Sequence, residues 1–252
     1  MKRILLLLLA ALCVAAPLLA ASPESQRVLQ EADRAYREAQ YQAAQDGYLR
    51  LLRNEGATGH LLYNLGNTAF RLNQTGRAIL YYEKARLLLP RDADLLYNLG
   101  RARELARDAT PEPTGFAAAA FFWIGSLTLA EIFWFFAAAN VLFWALMLLR
   151  LSVKAEWTHY LLYLFLTVWL LAGASFWMKW HQVRTDDRAV ILQAEVGVLA
   201  GPDIRDTLLF KLHEGTIVRQ ERAEEGWSLI RLPDGKRGWM KSEALERVVE
   251  GT

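Results

Sequence analysis

Cysteine occurs once in these 252 residues, at Cys13. A lone cysteine makes no internal disulfide and builds no cysteine-rich zinc centre. Cys13 also lies in an N-terminal apolar run that reads as an export signal, and once that run is removed no cysteine nucleophile remains. Histidine is nearly as thin: His60, His159, His181 and His213 are scattered along the chain, which argues against a shared metal site. His213-Glu214 has no second histidine one helical turn away and falls in an expected turn. No GxxxxGK[ST] phosphate loop, GxGxxG run, HExxH pair or GxSxG elbow is present. With no such constellation, the expectation is a non-enzymatic protein that uses no cofactor and no metal. A large charge imbalance is missing too. The formal net charge is +2, residues 22–115 hold 13 Lys and Arg against 12 Asp and Glu, and residues 185–252 hold 10 against 13. Neither segment has the basic footprint that nucleic-acid binding needs.

What the chain does have is an internal repeat. The run YNLG stands at Tyr63–Gly66 and again at Tyr97–Gly100, an offset of 34 residues. Other positions keep the offset: Ala32, Gly66 and Gly100; Ala44 and Ala78; Tyr48 and Tyr82; Leu51 and Ala85. Small residues at fixed helix positions with this period let two antiparallel helices approach closely. LLYNLGNTAFRLNQTGRAILYYEKARLLLP, closed by Pro90, resembles the tetratricopeptide (TPR) repeat almost throughout. Residues 22–109 are therefore expected to form an all-α TPR stack. The first unit, residues 25–54, is more degenerate, and the third keeps only its first helix, about residues 93–107, whose charged RARELARD suits a solvated cap. Gly66 is expected at a tight contact, and Gly47, with no partner glycine 34 residues on, at a looser one.

By resemblance to TPR proteins, the inner helix face presents Asp33, Arg37, Tyr63, Asn67, Phe70, Arg71, Tyr97 and Arg101 to a protein ligand. The lysine and asparagine pattern that grips a C-terminal carboxylate in some TPR proteins is absent, since Leu29 and Asp33 occupy those places. A stack of two and a half repeats offers a small groove, suited to a peptide or a domain edge at modest affinity.

Three long apolar stretches indicate a membrane. Residues 1–21 have a basic start (Lys2, Arg3), an apolar core and small residues at Ala20 and Ala21, read as a signal peptide or an uncleaved anchor. After TPEPTG, residues 110–129 are expected as a linker and a segment lying along the membrane interface. Residues 130–149 and 158–178 are expected transmembrane helices, with 150–157 as a cytoplasmic loop carrying Arg150 and Lys154. Glu131, the single charge in residues 116–149, reads either as a headgroup-level charge or as an intramembrane acid with a functional partner. An exported N-terminus followed by two spans places both flanking regions outside the cytoplasm.

After a linker at 179–188, the texture changes again. Between Ala189 and Val249, short β-prone runs (AVILQ, VGVL, LLFKL, TIVRQ, WSLIRL, RGWM) alternate with Gly and Pro, and Pro233-Asp234-Gly235 marks a turn. This spacing fits a small all-β barrel over residues 189–249. The order GP, LHEGTIV, GWSLIRLPDGKRGWMKSEAL resembles the bacterial SH3-like domain, with its aromatic pair at Trp227 and Trp239. Those two are the barrel's ligand candidates, with core or rim packing as the alternative role. VGVLAGP lacks the arginine these domains usually carry before Gly-Pro, so a groove depending on it is not expected.

The whole order (signal, TPR stack, two membrane helices, SH3-like barrel) resembles the BatE-type proteins of bacterial aerotolerance operons. That resemblance implies a multidomain inner-membrane protein, with its soluble modules on the periplasmic side. It also implies membrane-anchored partners with von Willebrand factor A-like domains, encoded alongside a MoxR-type ATPase. The function expected is a scaffold; the alternative is a cell-envelope sensor whose barrel binds peptidoglycan or peptide.

Overall fold

The computed structural model describes residues 22–108, 121–153 and 155–249. The signal at 1–21, most of the 110–129 linker, Lys154 and the last three residues lie outside the described residues.

Among the described residues, five helices come first: α1 (Pro23–Arg37), α2 (Tyr41–Glu55), α3 (Gly59–Arg71), α4 (Thr75–Leu88) and α5 (Ala93–Leu105). The 34-residue offset recurs in their atoms. Thr58 caps α3 by accepting from the Leu61 N–H at 3.3 Å, and Asp92, 34 residues on, caps α5 by accepting from the Leu95 N–H at 2.8 Å. Each satisfies a donor that a helix start leaves without an intrahelical partner. The turns α1–α2 and α3–α4 each place one residue at positive φ, Ala39 at 59° and Asn73 at 57°, again 34 apart. Asn tolerates that conformation better than Ala does.

Gly66 behaves as expected: a Cβ there would lie 2.4 Å from Cδ1 of the buried Tyr82 ring. Gly47 corrects the expectation, because a Cβ there would stand 2.8 Å from the Ala32 Cβ. Its partner across the helix pair is an alanine, so sequence offset alone hid the contact. Gly100 is the open one, with nothing among the described residues within 4 Å of its Cβ position.

Among the described residues, two helices are long and apolar enough to cross a membrane: α7 (Leu129–Ser152, 24 residues) and α8 (Trp157–Arg184, 28 residues). At 1.5 Å per residue they reach about 36 and 42 Å, beyond the ~30 Å of a bilayer's hydrocarbon core. They pack together as a hairpin through Phe136, Phe143, Trp169 and Phe176, with Trp169 stacked on Phe136 and Phe143. The outward side chains are apolar: Phe135, Leu142, Trp144, Leu148, Leu164 and Leu171 are all exposed. Both helices outrun the expected spans, and α8 takes in Lys179–Arg184, expected as linker.

Within the expected interfacial segment, residues 122–126 form the short helix α6 (Phe122–Ser126). It packs against α8: the buried Lys179 donates its Nζ to the Ile124 carbonyl at 2.7 Å, and Trp123 Nε1 donates to Ser175 Oγ at 3.2 Å. Glu131 sits at the start of α7 in a capping box with Thr128 and forms an ion pair with Arg91 from the helical stack. That explains this acid structurally, as a cap and a tether.

Residues 188–247 form a seven-stranded antiparallel sheet: β1 (Arg188–Ile191), β2 (Glu195–Leu199), β3 (Leu208–His213), β4 (Ile217–Glu224), β5 (Trp227–Arg231), β6 (Arg237–Lys241) and β7 (Leu245–Arg247). The strand order is β3-β2-β6-β5-β4-β1-β7. One buried cluster draws on every strand, including Ile191, Val198, Leu212, Val218, Ile230, Met240 and Leu245, so the sheet curls around it. Gly235, at φ 88°, makes the β5–β6 turn where Pro233-Asp234-Gly235 marked it.

The sheet is not a separate bead. Val190 and Val248 join Leu62, Ile79, Leu80, Tyr82, Leu95, Leu99 and Ala102 in a single buried cluster. Glu83, fully buried, forms ion pairs with Arg86, Arg103 and Arg188 of β1. Lys84 pairs with Glu246 at 2.6 Å, and the Gly76 N–H donates to Glu214 Oε1 at 2.7 Å. The expectation that α5 is a solvated cap is therefore corrected. Strand β1 packs along α4, and Val190 and Val248 share one buried cluster with Leu95, Leu99 and Ala102, while the other face of α5, with Leu96, Tyr97 and Leu105, stays exposed.

Candidate protein-binding groove

Helices α1, α3 and α5 turn one face each toward an open cavity of about 250 Å³, lined by Tyr36, Asn67, Phe70, Arg71, Tyr82, Tyr97, Asn98 and Arg101. Five of the eight residues expected on the groove face (Asn67, Phe70, Arg71, Tyr97 and Arg101) are brought together there. Asp33, Arg37 and Tyr63 are not part of its lining. Asp33 accepts a hydrogen bond from Tyr48 Oη at 2.7 Å. Arg37 is exposed at the end of α1. Tyr63 packs its ring against Tyr82 and accepts from Asn98 Nδ2 at 2.9 Å.

The floor of the cavity is a polar network. Asn67 Oδ1 accepts from Tyr82 Oη at 2.7 Å and from Asn98 Nδ2 at 3.0 Å. The Tyr82–Asn67 bond is the 34-residue image of Tyr48–Asp33, so the repeat carries this tether as well as its packing. Burial pushes the Tyr48 and Tyr82 phenols well above the ordinary tyrosine value, and for Tyr48 the Asp33 carboxylate adds to the effect. Both stay protonated donors at any physiological pH.

Above this floor stand two guanidinium groups. Arg71 is exposed, and the Tyr36 hydroxyl beside it raises its pKa. No carboxylate pairs with it among the described residues. Arg101 pairs with Glu104 on the solvent side. Tyr97, 69% exposed, and the half-buried Phe70 supply apolar surface.

Sequence reasoning missed Tyr36, Tyr82 and Asn98. Tyr36 lies one position from residue 37, the 34-residue image of Arg71, and Asn98 is itself the 34-residue image of Asn64, a repeat that was the signal that could have found it. Tyr82 was assigned to packing, which it does, while its hydroxyl reaches the cavity.

The two tryptophans of the sheet behave differently from a free aromatic pair. Trp227 is buried, and the Lys241 ammonium lies over its ring at 4.0 Å. Trp239 is half-buried, opposite Leu229 on β5 and Leu199 on β2. Neither belongs to the cluster inside the sheet.

His213 ends β3 rather than lying in a turn. Its N–H donates to Asp108 Oδ2 at 2.8 Å, and Thr216 Oγ1 donates to the same oxygen at 2.8 Å. Desolvation raises the Asp108 pKa, but those hydrogen bonds outweigh it and leave the carboxyl below the ordinary aspartate value. Among the described residues no group of three His, Cys, Asp or Glu side chains could hold a metal ion.

Compared with protein-family models and with curated proteins, the chain matches none.

Proposed function

We propose that this protein is a non-catalytic scaffold of a bacterial inner membrane, with a TPR groove that docks partner proteins and an SH3-like barrel that braces the stack. The observation that carries this reading is the convergence of Asn67, Phe70, Arg71, Tyr97 and Arg101 on one open cavity. Aromatic and arginine side chains are the types that dominate binding energy at protein interfaces. A rigid floor lowers the entropy lost when a ligand orders them.

Membrane anchoring rests on α7 and α8, whose outward side chains would be costly to leave in water. The shared core supports the topology. Residues 22–108 and 186–249 bury one cluster together, so both must lie on the same side of a bilayer, and a two-helix hairpin between them returns the chain to that side. An export signal at 1–21 would make that side the periplasm. By resemblance to BatE-type proteins, the partners would be membrane-anchored proteins with von Willebrand factor A-like domains. The envelope-sensor reading has less support, because Lys241 already covers the Trp227 ring.

Affinity purification of the full chain from membranes tests the scaffold. Arg71→Glu with Arg101→Glu is expected to abolish recovery of the main partner while leaving helical content and membrane insertion unchanged, since neither side chain holds the core. Recovery of the same partners by the double variant would move the docking surface elsewhere.

A further inference from the structure

We propose that the groove selects an acidic, extended segment of its partner, read by Arg71 and Arg101. This rests on the groove reading above and adds the chemistry of the ligand. The argument is one of complementarity. Both cations lining the cavity face it from above, and no carboxylate is among its lining residues. Arg71 has no acidic partner among the described residues, and its guanidinium offers a fixed fork of donors suited to a carboxylate. Arg101 is neutralised only by Glu104, three residues on, in an exposed ion pair of the kind that is worth little and readily exchanged.

The remaining polar groups are already engaged. Asn67 and Asn98 bond to each other and to the Tyr82 and Tyr63 hydroxyls, so they hold the floor instead of competing for the ligand. Tyr97 and Phe70 flank the cations, giving room for an apolar side chain next to the acidic ones. Nearby acids stand outside the lining: Asp33 is bonded to Tyr48, while Asp94 is exposed one turn before Asn98. The two guanidinium groups lining the cavity would repel a basic segment, which sharpens the preference.

The test pans a phage-displayed library of random linear peptides against the full chain in phosphatidylcholine nanodiscs, after clearing binders on empty nanodiscs. Recovered peptides are expected to be enriched severalfold in Asp and Glu over the input, with recovery falling as salt rises. Arg71→Glu with Arg101→Glu is expected to reduce their recovery about tenfold or more, the scale of a lost charged contact at an interface. Peptides enriched without an acidic excess but lost in the double variant would overturn the proposal and leave the groove as a docking site, whereas acidic peptides that bind the double variant equally would overturn the proposal and place their docking surface elsewhere. No enrichment over empty nanodiscs would sink the groove reading itself, and this proposal with it.

Discussion

Three glycines lie inside helices of the stack, and their surroundings separate them: Gly47 and Gly66 at close contacts, Gly100 in open space. A methyl at Gly66 meets the Tyr82 ring at 2.4 and 2.5 Å. That ring is buried and its hydroxyl is tied to Asn67, so it has nowhere to go. Gly66→Ala is expected to destabilise the protein by about 1–3 kcal/mol, the usual cost of overpacking. Gly100 meets nothing within 4 Å, so Gly100→Ala removes a helix-interior glycine without a clash. It is expected to stabilise α5 by up to about 1 kcal/mol. Thermal unfolding of the full chain in detergent checks both; a Gly66→Ala midpoint at or above wild type would show that the Tyr82 contact yields. Gly47 is no neutral control, because Ala32 stands against it.

Between elements, the decisive contact is the joint of α4, α5 and β1. Glu83 has no exposed surface, and the acid it supplies is shared by Arg86, Arg103 and Arg188. Glu83→Gln leaves the cations without that charge, and breaking a buried pair from one side costs on the order of 3–5 kcal/mol. Backbone amides of β1 and β7 are expected to lose hydrogen-exchange protection before those of α1 and α2. Equal protection in variant and wild type would mean that the apolar cluster alone holds the joint.

Asp108 adds a pH dependence to the same joint. Its folded pKa lies below the ordinary 3.8, so its contribution is fully present above that value and is lost as pH falls through the lowered one. The stability gap between wild type and Asp108→Asn is therefore expected to be constant from neutral pH down to about 4 and to shrink below it. A gap that opens or closes between pH 5 and 7 would point to a different group.

For the whole molecule, the shared core makes topology a single question. A periplasm-active reporter is expected to work when fused after Thr110 or after Glu250, and to be silent near Lys154. Activity at only one of the two outer sites would be incompatible with a joined stack and sheet, since Val190 and Val248 cannot pack on Leu95 and Leu99 through a bilayer. The joint also sets how the protein should be handled: cutting the chain at residue 108 would expose Ile79, Leu80 and Ala102 to water. Residues 22–108 alone are therefore expected to unfold at lower temperature than the full chain and to bind apolar dyes. An excised stack that melts like the intact protein would show the sheet to be dispensable.

Local order was legible in the sequence because it depends on neighbours a few residues apart. The 34-residue period gave the helix pairs, the alternating runs gave six of seven strands, and the long apolar stretches gave α7 and α8. Strand β7, three residues long, carries too little pattern to be read; it exists because β1 offers it an edge. Five groove residues followed from the resemblance to TPR proteins, while Tyr36, Tyr82 and Asn98 depended on which helices meet across the cavity. The joint was not legible at all. Glu83 and Arg188 are 105 residues apart and look like ordinary surface charges in a balanced composition. Only tertiary packing, which sets strand β1 against α4, buries Glu83 and brings the half-buried Arg188 onto it.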